Sequence, residues 1–402
     1  MPKKSALTTP VAITAMSSLS VCGLGNQALY QSLIKHETEL APLELFNVPF
    51  KNYVGEIKTP LISIKQALND YASRNSQVAL TALNCPEGKV REQLEAAKIK
   101  YGTQRIGIII GTSTSGLYET ESAYASLLQH DKMPQDFDFV KQHAYQATAR
   151  FLQLELGLQG ICFAISTACS SGAKAIAAGQ KLINNDLCDA VLVGGVDTLC
   201  RLTLRGFNSL ELVSDKPCRP MDKDRNGISI GEAAGLLLLE KCHANNESNL
   251  KILAVGESSD AYHMSTPHPK GEGAQLAMQN ALHAAGLKSS DIDYLNLHAT
   301  ATKINDQVES TAVETVFSDS VACSGTKGIT GHTLGAAGAL ETIIASLSLQ
   351  QQFISGTVGL QETNSDCHCQ VIKTPQFNQP LTIAMSNSFG FGGNNASVII
   401  GL

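Results

Sequence analysis

The stretch Ile165-Ser166-Thr167-Ala168-Cys169-Ser170-Ser171-Gly172-Ala173 limits what this chain can fold into more than any other. Ahead of it, Ile161, Phe163 and Ile165 alternate as the residues of a strand do. Beyond it, Ala173, Ile176, Ala177, Ala178, Leu182 and Ile183 recur at helical spacing. A cysteine therefore stands where a strand turns into a helix of small residues. The unpaired N–H groups and dipole of a helix N-terminus favour a thiolate there, so a pKa below the free value of about 8.5 is expected. Most of the eleven cysteines read as small buried hydrophobes. Cys169, in this setting, reads as a nucleophile.

Around that stretch the chain alternates strands and helices. Val11–Met16 reads as a strand, followed by a helix near Gln27–Lys35, helical patterns through Ile64–Leu83 and Val90–Ala97, and the buried strand Arg105–Gly111. Asp189–Gly195 and Ala234–Glu240 read as further strands. The polar segment His243–Leu250 reads as a linker, dividing the chain into halves at 1–245 and 246–402. In the second half come a strand near Ile252–Val255, a helix at Ala274–Ala285 closed by Gly286, a strand at Tyr294–Leu297, and a helix reaching Leu349. A glycine loop at Asn387–Asn395 lies between the strands Ile383–Ser386 and Ser397–Ile400. The Cys169 stretch and Thr330–Leu349 both read as strand, glycine-bracketed turn and small-residue helix, which suggests a duplicated α/β unit.

Several familiar motifs fail on inspection. Gly111 and Gly116 have the outer spacing of a phosphate-binding loop, but Leu117-Tyr118 stand where Lys and Ser or Thr are required. Asp222, Asp224, Asn226 and Gly227 match the start of a calcium loop, yet its last ligand position holds Ala233. Cys367-His368-Cys369 lacks a second ligand pair at zinc spacing, so no metal is expected. A net charge of −6 argues against a nucleic-acid partner. No apolar run approaches about 20 residues, so no membrane span is expected. The Ser- and Thr-rich start broken by Pro10 does not read as a secretory leader, which points to a cytoplasmic protein with reduced thiols.

Five segments in order carry a resemblance: Thr167–Gly172, Arg219-Pro220 with Asp222, His298 with Thr300 and Thr302, Lys327 through Gly338, and Asn387 through Gly393. Together they resemble the β-ketoacyl-acyl-carrier-protein synthases of the elongating Cys-His-His type, in the thiolase-like superfamily. The resemblance spans nearly the whole chain. It implies an α/β thiolase-like fold of two similar halves in layered α-β-α-β-α architecture, with the site between them. It implies an acyl carrier protein as partner, and a homodimer or a heterodimer with a related subunit, paired through the strand before the nucleophile. No cofactor is implied, because the substrates ride on the carrier's phosphopantetheine.

On the same resemblance, Cys169 carries the acyl group while His298 and His332 stabilise the enolate formed when malonyl thioester decarboxylates. Lys327 and Glu341 support the histidines. The backbone N–H groups of Cys169 and Phe391 form an oxyanion hole, Phe391 also gates the acyl pocket, and Thr300 and Thr302 bind pantetheine. Asp306 is structural. Lys65 and Arg74 are candidate docking cations. The pattern departs from the family at Ala299 and Ala301, where the Cβ at 299 opposes positive φ, at Asn394, and at Gly111–Gly116, which is less glycine-rich than the family's. Three rival readings fit the sequence less well. A degradative thiolase needs a second cysteine in the closing loop, which has none. An initiating synthase has Asn where His332 stands. A non-catalytic chain-length-type subunit lacks the nucleophile.

Overall fold

The computed structural model describes residues 7–242, 249–318 and 321–402. The first half contributes strands β1 (Val11–Ser20), β2 (Ile106–Gly111), β3 (Cys162–Ile165), β4 (Ala190–Asp197) and β5 (Ala233–Lys241). The second contributes β6 (Lys251–Ser259), β7 (Tyr294–Asn296), β8 (Ala322–Ser324), β9 (Ile383–Gly390) and β10 (Asn394–Gly401). They join in the order β3-β2-β4-β5-β1-β6-β10-β9-β7-β8. Counted within its own half, each set runs 3-2-4-5-1, with matching parallel and antiparallel neighbours. The duplicated unit expected from the sequence is present in this topology. Among the described residues the halves meet edge to edge where Val11 and Ala12 of β1 face Ile252 and Lys251 of β6, extended by a hydrogen bond from Ile13 N to Leu250 O at 2.9 Å.

The helices of the first half are α1 (Asn26–Lys35), α2 (Arg74–Leu83), α3 (Val90–Tyr101), α4 (Leu117–His130), α5 (Ala147–Leu156), α6 (Ser171–Asn184) and α7 (Arg201–Ser209). The second half adds α8 (Glu272–Ala285), α9 (Lys303–Phe317), the single turn α10 (Lys327–Thr330) and α11 (Ala337–Gln351). Period-two side-chain alternation sorts the strands' apolar residues into layers. Ile109, Val191, Val193, Leu237, Val398 and Ile400 face a central core shared with Ile176 of α6 and Ile343 of α11. Ile108, Ile110, Leu192 and Leu238 face outward onto Leu83 of α2, Leu94 of α3 and Phe151 of α5. Met385 and Ile399 face Met278 of α8 and Phe317 of α9. Every residue from Ala337 to Leu349 is buried, as a helix walled in on all sides requires. The result is five layers, with α6 and α11 in the middle.

Close backbone contact locks those two helices together. A Cβ on Gly172 would lie 2.9 Å from both Ala339 N and Gly335 O, and one on Gly338 would lie 2.7 Å from Ala173 N. Only glycine permits this approach, which brings the turn before α6 against the turn before α11.

Some local readings need correction. Lys327–Thr330 is a helical turn, and the strand expected at Thr330 lies earlier, at Ala322–Ser324. The closing glycine loop is shorter than Asn387–Asn395, because β9 runs on to Gly390 and β10 starts at Asn394. Only Phe391–Gly393 turn. The Asp222 segment is a turn, as expected. Its carboxylate accepts from the backbone N–H of Asp224, Gln361 and Glu362 rather than facing a cation site. Of the expected linker, residues 243–248 lie outside the described residues. No helix among the described residues is long and apolar enough to cross a membrane.

Candidate active site

Cys169 follows β3 on a tight turn in which Ala168 takes φ +51°. Side-chain hydrogen bonds hold that turn. Ser171 Oγ accepts from Thr167 N at 2.9 Å and donates to Ala168 O at 2.6 Å, while Ser113 Oγ donates to the same carbonyl at 3.2 Å. His332 sits between α10 and α11, with its backbone N–H donating to Ser229 O at 2.6 Å. Its Nε2 is 3.0 Å from Cys169 Sγ. His298 follows β7 and stands edge-on to His332, ring centroids 5.2 Å apart at 84°. The sulfur and one nitrogen from each ring lie within 4.8 Å of one another. The sequence brings these three residues from positions 169, 298 and 332 to one point.

Burial governs the electrostatics. Desolvation pushes the Cys169 thiol up to about 12, against the pull of the Lys327 charge and a hydrogen bond from the Phe391 backbone N–H. The lowered pKa expected at a helix start is therefore overturned, because Cys169 is only 6% exposed and its sulfur loses more hydration than the helix end returns. Burial also holds both imidazoles well below the usual histidine value, with Lys327 adding to the effect. The resting trio is a neutral thiol beside two neutral rings, and the thiol donates to Nε2 of His332.

Lys327 settles a tautomer that the sequence left open. Its Nζ is 3.4 Å from His298 Nδ1, and it also donates to His298 O and pairs with Glu341. An ammonium is a donor only, so Nδ1 must accept and the ring's proton sits on Nε2. Although the trio has the spacing of metal ligands, His298 therefore offers an N–H, not a lone pair, to whatever binds there. Nδ1 of His332 is buried without a hydrogen-bond partner among the described residues, and with the thiol donating to Nε2 the resting ring carries its proton on Nδ1. Burial raises the Glu341 carboxyl to about 7, with Lys327 pulling it back.

The three groups open onto a cavity of about 480 Å³ whose walls include Phe207, Thr300, Thr302 and Phe391. Thr300 and Thr302 hydroxyls are 3.0 Å apart, and Thr302 also caps α9 by accepting from Asn305 N. The Phe391 ring lies 5.6 Å from that of Phe207. A larger cleft of about 820 Å³ lies elsewhere, by Tyr30, Glu87, Lys89 and Gln351, and contains none of the trio. Pocket size alone would have misplaced the site.

Two carboxylates central to the geometry escaped the sequence reading. Glu309 accepts from His298 N and Ala299 N, both at 2.7 Å, and burial raises its pKa to about 7. Asp197 accepts from Thr112, Ser113, Thr114 and Gly335, tying the turn after β2 to the turn before α11. Glu309 lies three residues after Asp306 on a face shared with Val308, Ala312 and Val313, and Asp197 ends an apolar strand. Acids on otherwise apolar patterns were the available signal. The Ala299 and Ala301 departures are accommodated at φ +35° and +65°. Gly325 leaves the space that the Ala299 methyl occupies, since a Cβ there would come within 2.7 Å of it. Neither suggested docking cation is free. Arg74 is tied to Glu232 through two hydrogen bonds of 2.6 and 2.7 Å, and Lys65 pairs with Glu155 at 2.8 Å.

The family profile of the β-ketoacyl synthase N-terminal domain matches residues 8–244, and that of the C-terminal domain matches residues 250–361. The chain belongs to the β-ketoacyl synthase family. As a ketoacyl synthase it is a condensing enzyme, an acyltransferase. It is similar to 3-oxoacyl-[acyl-carrier-protein] synthase 2 of Staphylococcus aureus, at 29% identity over 97% of each chain. It is also similar to nodulation protein E of Rhizobium meliloti, at 33% identity over 96% of this chain and 97% of that one. Among solved structures, a chain from the complex of a Xenorhabdus doucetiae ketosynthase with its chain length factor matches with a TM-score of 0.91. Its sequence is 38% identical, with 98% of both chains covered. The ketosynthase/chain length factor for ishigamide matches with a TM-score of 0.89 at 26% identity, over 98% of this chain and 99% of that one.

Proposed function

We propose that this ketosynthase joins a malonyl unit to an acyl group held on Cys169, both delivered by an acyl carrier protein, during fatty acid or polyketide and polyene chain elongation. The observation that carries the reading is the meeting of one sulfur and two imidazoles within 4.8 Å on the wall of one cavity. In loading, Sγ attacks the acyl carbonyl as its proton passes to Nε2 of His332. The oxyanion is held by the backbone N–H groups of Cys169 and Phe391. As that oxyanion collapses, the carrier thiol leaves and takes the proton.

In the second half-reaction the bond to the malonyl carboxylate breaks and carbon dioxide departs. The electron pair flows to the thioester oxygen, which Nε2–H of His298 and of His332 stabilise. Once the thiol is acylated no donor faces Nε2 of His332, and exchange through the cavity it lines lets the ring carry its proton there. The enolate carbon then attacks the acyl-Cys169 carbonyl, and the sulfur leaves as thiolate and takes a proton from Nε2 of His332, which water in the cavity replaces. Thr300 and Thr302 contact the pantetheine arm, and Phe391 gates the acyl pocket. The alternative, a chain-length-type subunit without catalysis, is disfavoured by the complete trio.

A second subunit, either another copy or a related chain, pairs along β3. That strand is the outermost of its half and half-exposed, and similar chains are known in such complexes. The reading also includes the division at 245 and 246 and a cytoplasmic setting for eleven free thiols. Intact-protein mass spectrometry after incubation with an acyl-carrier thioester tests it. The wild-type chain gains one acyl group and Cys169→Ala gains none. His332→Ala still takes the acyl group, more slowly for want of the base that accepts the thiol proton, and its decarboxylation of malonyl thioester falls about a hundredfold, the scale of one lost transition-state donor. An unacylated wild-type chain would overturn the proposal.

A further inference from the structure

The loop carrying the Phe391 amide is the three-residue tip of a hairpin. Gly390 of β9 and Asn394 of β10 face each other as its last paired residues, and Phe391, Gly392 and Gly393 span the gap. Gly392 and Gly393 adopt φ +77° and +71°, so two of the three loop residues have glycine's freedom. Backbone bonds from Gly392 N to Met264 O (2.8 Å) and from Asp260 N to Gly393 O (2.9 Å) hold the loop's middle to its own half, so its register with the nucleophile depends on what grips its ends. At the Gly390 end the chain abuts the nucleophile's turn, where a Cβ would come within 2.8 Å of Thr167 O. At the other end the Asn394 side chain reaches across to α6, and its Oδ1 accepts from Lys174 Nζ at 3.1 Å.

Lys174 is five residues beyond Cys169, in the first turns of the same helix. Its ammonium is half-buried, and Glu257, the acid that attracts it, is itself paired with Lys181. A closed circuit results. The Phe391 N–H points at the Cys169 sulfur, and the base of its loop hangs from a lysine on the helix that the sulfur precedes. A donor referenced in this way follows the nucleophile when α6 shifts, which the hairpin's own sheet would not ensure.

We propose that Lys174 and Asn394 are positioning residues whose hydrogen bond keeps the Phe391 amide in register with the Cys169 sulfur and so sets the rate of acyl transfer. The inference rests on the reading of Cys169 as the acyl carrier. It also gives a role to Asn394, one of the positions where this chain departs from the family pattern.

The test compares two reactions of one sulfur. Acyl transfer from a carrier thioester builds an oxyanion against Phe391 N–H, whereas alkylation by iodoacetamide builds none. Lys174→Met and Asn394→Ala should each lower the maximal acyl-loading rate about tenfold, below the full effect of deleting an oxyanion donor. The KM for the carrier thioester should stay put, and alkylation should be no slower. The double variant should be no worse than either single one, because both cut the same link. Asn394→Asp, which keeps the acceptor oxygen, should recover most of the loss. Wild-type loading rates in Lys174→Met, or losses that multiply in the double variant, would overturn the link. So would acyl transfer and alkylation falling in parallel, the mark of a general disturbance. A wild-type chain that takes no acyl group would instead remove the reading beneath it.

Discussion

At Cys169 the resting proton is on sulfur, and this sets how the thiol answers to pH. Burial lifts its pKa to about 12 while both neighbouring imidazoles stay neutral well below 6.5. The alkylation rate of Cys169 by iodoacetamide should therefore keep climbing through pH 9.5. A plateau near pH 7 would reveal a preformed thiolate–imidazolium pair. Lys327 is the other decisive residue, because its place at Nδ1 of His298 leaves the ring one way to carry its proton. Lys327→Met should cut decarboxylation at least tenfold while sparing acyl loading. It should also destabilise the fold by roughly 3 kcal/mol, as breaking one side of a buried pair does. Adding Glu341→Gln should return much of that stability and none of the decarboxylation. Single-turnover assays and urea melts separate the two effects.

At the scale of elements, α9 holds the strained His298 turn from below. Glu309 takes the N–H groups of His298 and Ala299, Asp306 takes that of Ala301, and Asn387 of β9 donates to Glu309 at 3.3 Å. The folded-state pKa of Glu309 is raised above its unfolded value, so the fold binds this proton more tightly than the unfolded chain does. Stability from that proton is full below about pH 4.5 and is lost as pH rises through about 7. The thermal midpoint should fall between pH 5 and pH 8, and Glu309→Gln should flatten the slope. A slope that survives this substitution would place the titration elsewhere, with Glu341 the next buried carboxyl to try.

The same helix shows what the sequence could and could not say. Cys169, His298, His332 and Lys327 were legible because each sits in a short turn of small residues with a distinctive local pattern. Glu309 was not, since its partners are backbone N–H groups of a turn eleven residues upstream and an asparagine of another strand. The thiol pKa was misread for a related reason. Helix-end position is written locally, whereas burial is made by α10, α11 and the β9–β10 loop closing over the sulfur.

For the whole molecule, the repeated 3-2-4-5-1 strand order explains why two distant turns converge. Equivalent positions of the two halves, each just before a central helix, face one another across the middle layer. The periodicities that marked individual strands gave no hint of this order, because strand neighbours are chosen by crossovers and not by residue pattern. The echo between the two small-residue helices was the trace available, and it survived although one of its strands was misplaced.

The thiol is supplied by one half of the chain and the ring that touches it by the other. The edge-to-edge seam between those halves is short, two residue pairs and one further backbone hydrogen bond among the described residues. A slip of about an ångström between the halves, which the glycine contact of α6 with α11 resists, would leave the ladders and helices within each half whole, yet carry a 3.0 Å sulfur–nitrogen contact beyond hydrogen-bond reach. Chemistry should consequently be the first casualty of any stress. In a urea series, condensation should vanish while far-ultraviolet dichroism still reports native secondary structure.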